Sequence, residues 1–472
     1  MRSIVQMLPR WIIRRDLIVG QTALPFLAVG GMLFFQVWIV VAFGDLALAL
    51  LAVIDLLLFT LIIFWGVVKN LPTYLLLINL APLLYLNETL HYSFSWTLVQ
   101  DIPLFFLIAL AIAEFIRKRS QGRIRGLEIN TPLILFFFYF FISAAIGFFR
   151  GFPLVHVADE LYHLSYYVVS IFILYLLRDR RDYGLLFGFV ILISASISAV
   201  YIYYFFWEGV PQIVTFQADL FPMVMAMLYA YALTAKQWNA SRWIAIALLF
   251  PVAAALVASL TRALWVSTFL AMGAVTFFHF RKNRTLSYNK ILIILVVSIP
   301  FLFMNNGKTS REPVSTSRGV ENRAQSISNP GADASFLMRV EIGYYAVQKF
   351  MQSPLVGKGL GDHVNYKILS SLRAEIFYPD NSWIFFLWKG GLLGLALAVW
   401  MYSRLLKHIH FLYNRSDRIK VQALTLGLLG GIIALLFDGL FCATLMKYKY
   451  GIVFGIIFAY VEFERGQIQR NG

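Results

Sequence analysis

Residues 133–149 read LILFFFYFFISAAIGFF, without one acidic or basic side chain. Wound as an α-helix, a run of this length rises about 25 Å, most of the roughly 30 Å of hydrocarbon in a bilayer. Residues 185–206 and 244–258 repeat the pattern. Water cannot satisfy backbone N–H and C=O groups inside lipid, so such runs must close their hydrogen bonds within themselves as helices. The alternative, a closed β-barrel, would need apolar and polar residues to alternate, and here they do not.

The whole chain follows these runs. Of its 472 residues 60% are hydrophobic and only 14% charged, with a mean hydropathy of +0.74, against roughly half and a quarter in a soluble domain. About fourteen candidate spans can be drawn, at 18–43, 46–68, 71–86, 102–116, 132–149, 162–177, 183–206, 217–235, 243–258, 263–280, 290–304, 382–402, 420–437 and 446–462. The fold class is therefore all-α: a polytopic membrane protein with about 12–14 transmembrane helices. The segments 71–86 and 290–304 are short for a span.

The net charge of +16 could suggest a nucleic-acid partner, but its distribution excludes one. Lys and Arg gather in short clusters between apolar runs, at 117–125, 178–181, 236–242, 281–284 and 404–420. The intervening connections 44–45, 87–101, 207–216 and 438–446 carry almost none. That alternation is the positive-inside pattern, and it places both termini in the cytoplasm. Arg2, Arg10, Arg14 and Arg15 precede the first apolar run, and no convincing cleavage site follows it, so the run reads as a retained helix. Cys442 is the single cysteine, which excludes an intramolecular disulfide and a cysteine-rich metal site.

One outer connection is large. The chain divides into helical spans at 1–304, an outer loop at 305–381 and further spans at 382–472, all within one membrane domain. Residues 305–335 are polar and read as mobile. After them Phe336, Leu337, Val340, Tyr344, Val347 and Met351 recur at helical spacing. The glycine-rich run Ser353-Pro354-Leu355-Val356-Gly357-Lys358-Gly359-Leu360-Gly361 ends that helix, and a second short helix is expected over about 363–377.

Three positions could carry chemistry. Arg262, in Ser259-Leu260-Thr261-Arg262, sits in the shortest outer hairpin between two apolar helices. A guanidinium at that depth is a functional candidate whose planar fork suits a phosphate or diphosphate, although a snorkelling interfacial residue would read the same. Arg339 stands near the start of the loop helix, where it could bind substrate or simply pair with Glu341. Asp380-Asn381-Ser382 immediately precedes an apolar helix. These residue types cap helices, and a carboxylate there could equally deprotonate a hydroxyl.

Taken in order, the pattern resembles the C-terminal signature of the bacterial O-antigen ligase and polymerase family. It runs Arg339-x4-Tyr344-x9-Pro354-Leu355-x-Gly357-x-Gly359-x-Gly361, then Asp380-Asn381 and Gly390-Gly391-Leu392-Leu393-Gly394, with Ser-x-Thr-Arg ending at Arg262 on an earlier helix. The likeness covers about 217–402. It implies a donor glycan linked to undecaprenyl diphosphate and transferred to a sugar hydroxyl at the outer face of the bacterial cytoplasmic membrane. On this resemblance Arg262 and Arg339 hold the diphosphate and Asp380 acts on the acceptor. Asn381 and Lys358 are further substrate contacts, and His363 is an alternative base. No metal and no other cofactor is expected. The partners implied are the lipid-linked donor, a glycan or lipid acceptor, membrane lipid, a chain-length regulator and a flippase. Ligases of the family carry His where this chain has Asp380, which favours a polymerase. A ligase acting on lipid A core is the close alternative, and a transporter or flippase for the same glycans is the reading from another class.

Three other signals are weaker. His156, Asp159, Glu160 and His163 could share a helix face and suit a metal or a polar interface. Gly307-Lys308-Thr309 ends like a phosphate-binding loop, but Leu302 stands where its first glycine is needed. Asp55 could be a proton relay inside a span or a buried polar residue.

Overall fold

The computed structural model describes residues 130–177, 180–206, 218–235, 240–259, 261–284, 334–367, 373–446 and 448–471. The helices are α1 (Thr131–Phe149), α2 (Leu154–Ser165), α3 (Val169–Leu176), α4 (Arg180–Phe206), α5 (Phe221–Thr234), α6 (Ala240–Ala258), α7 (Arg262–Asn283), α8 (Ala334–Met351), α9 (Ser382–Arg415), α10 (Ile419–Asp438) and α11 (Tyr448–Asn471). Among the described residues six helices, α1, α4, α6, α7, α9 and α10, are long and apolar enough to cross a membrane. The protein is an all-α polytopic membrane protein. The spans expected at 18–43, 46–68, 71–86, 102–116 and 290–304 lie outside the described residues, as do Asp55 and Gly307-Lys308-Thr309.

Small residues set the packing, as they do where helices meet without water to drive them together. A Cβ added at Gly427 of α10 would stand 2.5 Å from the Met227 Cα of α5, and one at Gly430 would stand 2.8 Å from the Ala271 O of α7. At the basic end of the bundle Lys282 donates to the Tyr413 carbonyl at 2.6 Å, and Arg180 grips Glu464 with two bonds of 2.6 and 2.8 Å. The opposite end carries α8 and the hairpin described next, and is called the loop end below.

Two expectations need correcting. The helix expected over about 363–377 is not found at 364–367 or 373–376. Val364–Lys367 (β1) and Arg373–Ile376 (β2) pair antiparallel, Val364 opposite Ile376 and Lys367 opposite Arg373. The alternation in Val-Asn-Tyr-Lys has a period of two, which suits a half-buried strand, and Val364 packs in a small core with Ala346 and Trp388. The span expected at 382–402 runs on to Arg415, so most of the basic cluster at 404–420 is helical.

The feature that organises the loop end is a break in α9. Gly391 lies at φ 63°, ψ −164°, outside helical space. The break frees carbonyls before it and N–H groups after it, and the glycine-rich run of 354–361 takes both sets. Lys358 N donates to Trp388 O at 2.9 Å and Gly359 N to Lys389 O at 3.1 Å. In return Leu392 N donates to Pro354 O at 2.8 Å and Leu393 N to Leu355 O at 3.2 Å. From α1, Tyr139 donates its hydroxyl to Gly390 O at 2.6 Å and Ser143 to Lys389 O at 2.9 Å. The two glycine motifs are thus halves of one joint, and the strap passes between α9 and α1.

The joint leaves no room for side chains. Gly359 has φ +85°, and a Cβ there would stand 2.5 Å from Gly147 N and 2.8 Å from Gly147 Cα. Gly359→Ala should cost roughly 1–3 kcal/mol for the left-handed backbone and about as much again for overpacking. Gly184→Ala, at a helical site with nothing within 4 Å among the described residues, should be neutral or stabilise by up to ~1 kcal/mol. Thermal unfolding of the two variants in detergent checks the contrast, and equal melting temperatures would refute it.

Candidate functional site

Asn381 caps α9. Its Oδ1 accepts from Ile384 N at 3.0 Å and its Nδ2 donates to Leu440 O at 2.8 Å. Both ends of the amide expected to meet substrate are therefore engaged in fixing the helix start. The cap leaves the neighbouring carboxylate free for another partner, and Asp380 meets Arg339: Nε donates to Oδ2 at 3.0 Å, with the two side chains 40% and 45% exposed. Arg339 thus pairs across the loop with Asp380.

Arg262 is the first residue of α7, behind Thr261 as N-cap. Its height follows from packing. α7 and α10 run antiparallel and touch at Ala271 and Gly430. Nine residues outward from each contact are Arg262 and Gly439, and Gly439 O accepts from Ser382 N at 2.8 Å. Arg262 therefore lies at the level of the α9 N-terminus, at the same end of the bundle as Asp380.

The other expected residues fall around this centre. Lys358 is half-buried in the strap, its backbone bonded to Trp388 O. The His363 ring lies 5.3 Å from that of Phe377, and its buried Nδ1 has no hydrogen-bond partner among the described residues. α2 presents a polar face to the exit of the hairpin. His156 stacks on Phe377 at 4.2 Å, His163 on Tyr378 at 5.6 Å, and the Tyr378 hydroxyl donates to Asp159 at 2.9 Å. Glu160, one turn from His156 and His163 on the same helix, is buried and bonds Lys389 and Gly361 N instead. Among the described residues no group of three or more His, Cys, Asp or Glu is placed to hold a metal.

What the sequence reading missed is the partner of Glu160. Lys389, buried in α9 one residue before the glycine pair, donates to Glu160 Oε1 at 2.6 Å and also to the Asp362 carbonyl. The other Glu160 oxygen accepts from Gly361 N at 2.8 Å. The Asp362 carboxylate receives Trp388 Nε1 at 2.8 Å and Lys349 at 3.0 Å. Burial pushes the Glu160 carboxyl above the usual range, and Lys389 and the Gly361 N–H pull it back. A lysine inside an apolar run was the available signal, since an intramembrane charge implies a partner. The network holds α2, α8, the strap and α9 together beneath Arg339 and Asp380.

Removing one member of a buried pair strands the other. Lys389→Met should cost roughly 3–5 kcal/mol. Adding Glu160→Gln, which keeps an acceptor for Gly361 N and deletes the charge, should recover part of that loss. A double-mutant cycle in thermal unfolding measures the coupling, and strictly additive costs would show that the two side chains do not act as a pair.

Among curated proteins none matches the chain. Residues 244–399 match the family model described as O-Antigen ligase. That stretch runs from α6 into α9 and contains Arg262, Arg339, the strap, Asp380 and the break at Gly391, so the part of the chain that is similar to the O-antigen ligase family is the part that holds the candidate site.

Proposed function

We propose that the chain is a glycosyltransferase that polymerises repeat units of a bacterial surface polysaccharide. Its donor is an undecaprenyl-diphosphate-linked glycan, used at the outer face of the cytoplasmic membrane. Glycan transfer of the O-antigen ligase and polymerase type is what the family match supports. The observation that carries the finer reading is the Arg339–Asp380 contact beside the capped start of α9.

In the proposed step the acceptor hydroxyl oxygen attacks the anomeric carbon of the donor sugar. The bond from that carbon to the diphosphate breaks, the hydroxyl proton passes to Asp380, and lipid diphosphate leaves. Arg339 meets Asp380 through Nε, and the two terminal nitrogens of its planar fork suit the diphosphate as charge develops there. Arg262, level with the start of α9, supplies the second cation. The proposal assigns this neutralisation to guanidinium groups and needs no metal. Asn381 acts through the helix cap, and His363 stays a secondary base. A flippase and a chain-length regulator would work upstream and alongside.

Asp380 in the place of a ligase histidine favours the polymerase over the ligase. Against the transporter, the break in α9 is filled by the strap. Interrupted helices of transporters instead turn their free ends to cargo.

In proteoliposomes supplied with lipid-linked repeat units, the wild type should give a ladder of longer glycans. Asp380→Asn should lower transfer by ~10²–10⁴-fold if the carboxylate takes the proton. Arg339→Lys and Arg262→Lys, which keep charge and lose the fork, should each lower it by roughly 10²-fold or more, at unchanged protein level. Product only after lipid A core is added would make the protein a ligase. Glycan reaching the other leaflet without new bonds would make it a transporter, and full activity in Asp380→Asn would remove that residue from the chemistry.

A further inference from the structure

Helix α8 has two apolar faces. One is packed: Ile342 and Ala346 are buried, Gly343 lies against Ile384, and Ala346 shares a core with Trp388. On the opposite face Leu337, Val340, Tyr344, Val347 and Met351 form a stripe of successive turns, 38–67% exposed. A face of this size is unexpected on a solvated loop helix, which would turn polar residues outward.

The packing fixes where the stripe runs. Arg339 meets Asp380 and Gly343 meets Ile384, so α8 runs parallel to the first half of α9 and descends beside it toward the break. The strap then leads to Leu355, 65% exposed, whose carbonyl accepts from Leu393 N. Leu392 and Leu393 are half exposed and begin the apolar surface of the membrane-spanning part of α9. The stripe is therefore continuous with the surface that α9 turns to lipid. It climbs from there to the Arg339–Asp380 pair.

We propose that α8 is an interfacial helix whose Leu337–Met351 stripe is seated in the lipid chains of the leaflet at the loop end. Glu341 and Gln348, exposed on its flank, face the headgroups and water. The apolar face enters the lipid chains as in other amphipathic interfacial helices, with the Met351 end deeper than the Leu337 end because α8 descends beside α9. The consequence for the site is access. Arg339 and Asp380 stand at headgroup depth, so a lipid diphosphate reaches them by sliding within the membrane plane. The proposal does not depend on the glycan chemistry, and its test needs no substrate.

The natural single cysteine makes that test direct. With Cys442→Ser as background, nitroxide labels are placed by Val347→Cys on the stripe and by Gln348→Cys on the flank, in the full chain in proteoliposomes. Power-saturation spectroscopy then compares collisions with oxygen, which concentrates in lipid, and with a water-soluble nickel chelate. The label at 347 should show a higher oxygen-to-nickel ratio than the label at 348. Equal exposure of both labels to nickel would put α8 in water and overturn the proposal. Low access to both reagents at 347 would place protein over the stripe and overturn it equally. A second stripe label, Tyr344→Cys, repeats the measurement if the label at 347 prevents folding.

Discussion

A helix broken inside a membrane exposes backbone groups that no water can reach, and each one left unpaired costs several kcal/mol. The arrangement of the loop end follows from how α9 meets that constraint at Gly391. The carbonyls of Trp388, Lys389 and Gly390 and the N–H groups of Leu392 and Leu393 are all supplied by the strap or by α1. The exchange is reciprocal, because the strap is itself an irregular segment that needs partners. Neither half is satisfied alone, so strap, broken helix and α1 form one unit.

Buried charge reinforces the same joint. Lys389 points from the edge of the break to Glu160 on α2 and to the carbonyl of Asp362 at the end of the strap. Asp362 in turn ties Trp388 of α9 to Lys349 of α8. A buried ion pair is a weak source of stability against a well-packed apolar alternative. Its use is geometric, since five groups from four segments find their hydrogen bonds in one arrangement. That arrangement fixes α8 relative to α9, and with it the distance between Arg339 and Asp380.

The sequence was most legible where charge bounds an apolar run. The ends of α1, α7 and α10 fall within a few residues of expectation because Arg150, Arg262 and Lys420 stand at or beside them. Arg339 and Asp380 could be singled out one at a time, but their contact spans a separation of 41 residues and depends on a joint that no local pattern reveals. The glycine run was readable as a helix breaker. Its role as the partner of Gly390-Gly391 was not, because hydrogen bonding between main chains leaves no side-chain signature. Lys389 carries no local sign of its partner Glu160, 229 residues away, and the strand pattern at 364–367 is easily read as helix because a period of two over four residues is a short signal.

The break also bears on electrostatics at the site. It reduces the first part of α9 to a short half-helix whose N-terminus opens beside Asp380. Unpaired N–H groups and the helix dipole make such an end positive, a setting that favours anions. With Asn381 occupying the cap position, the carboxylate of Asp380 sits one residue outside the helix, near that positive end without being consumed by it. A diphosphate brought to the same place meets the same field. Two anionic groups can share it only if a cation stands between them, and Arg339 is the side chain that the joint holds in contact with Asp380. The strap that satisfies the broken backbone therefore also decides that a carboxylate and a guanidinium face each other at the end of a half-helix, which is the arrangement the proposed transfer uses.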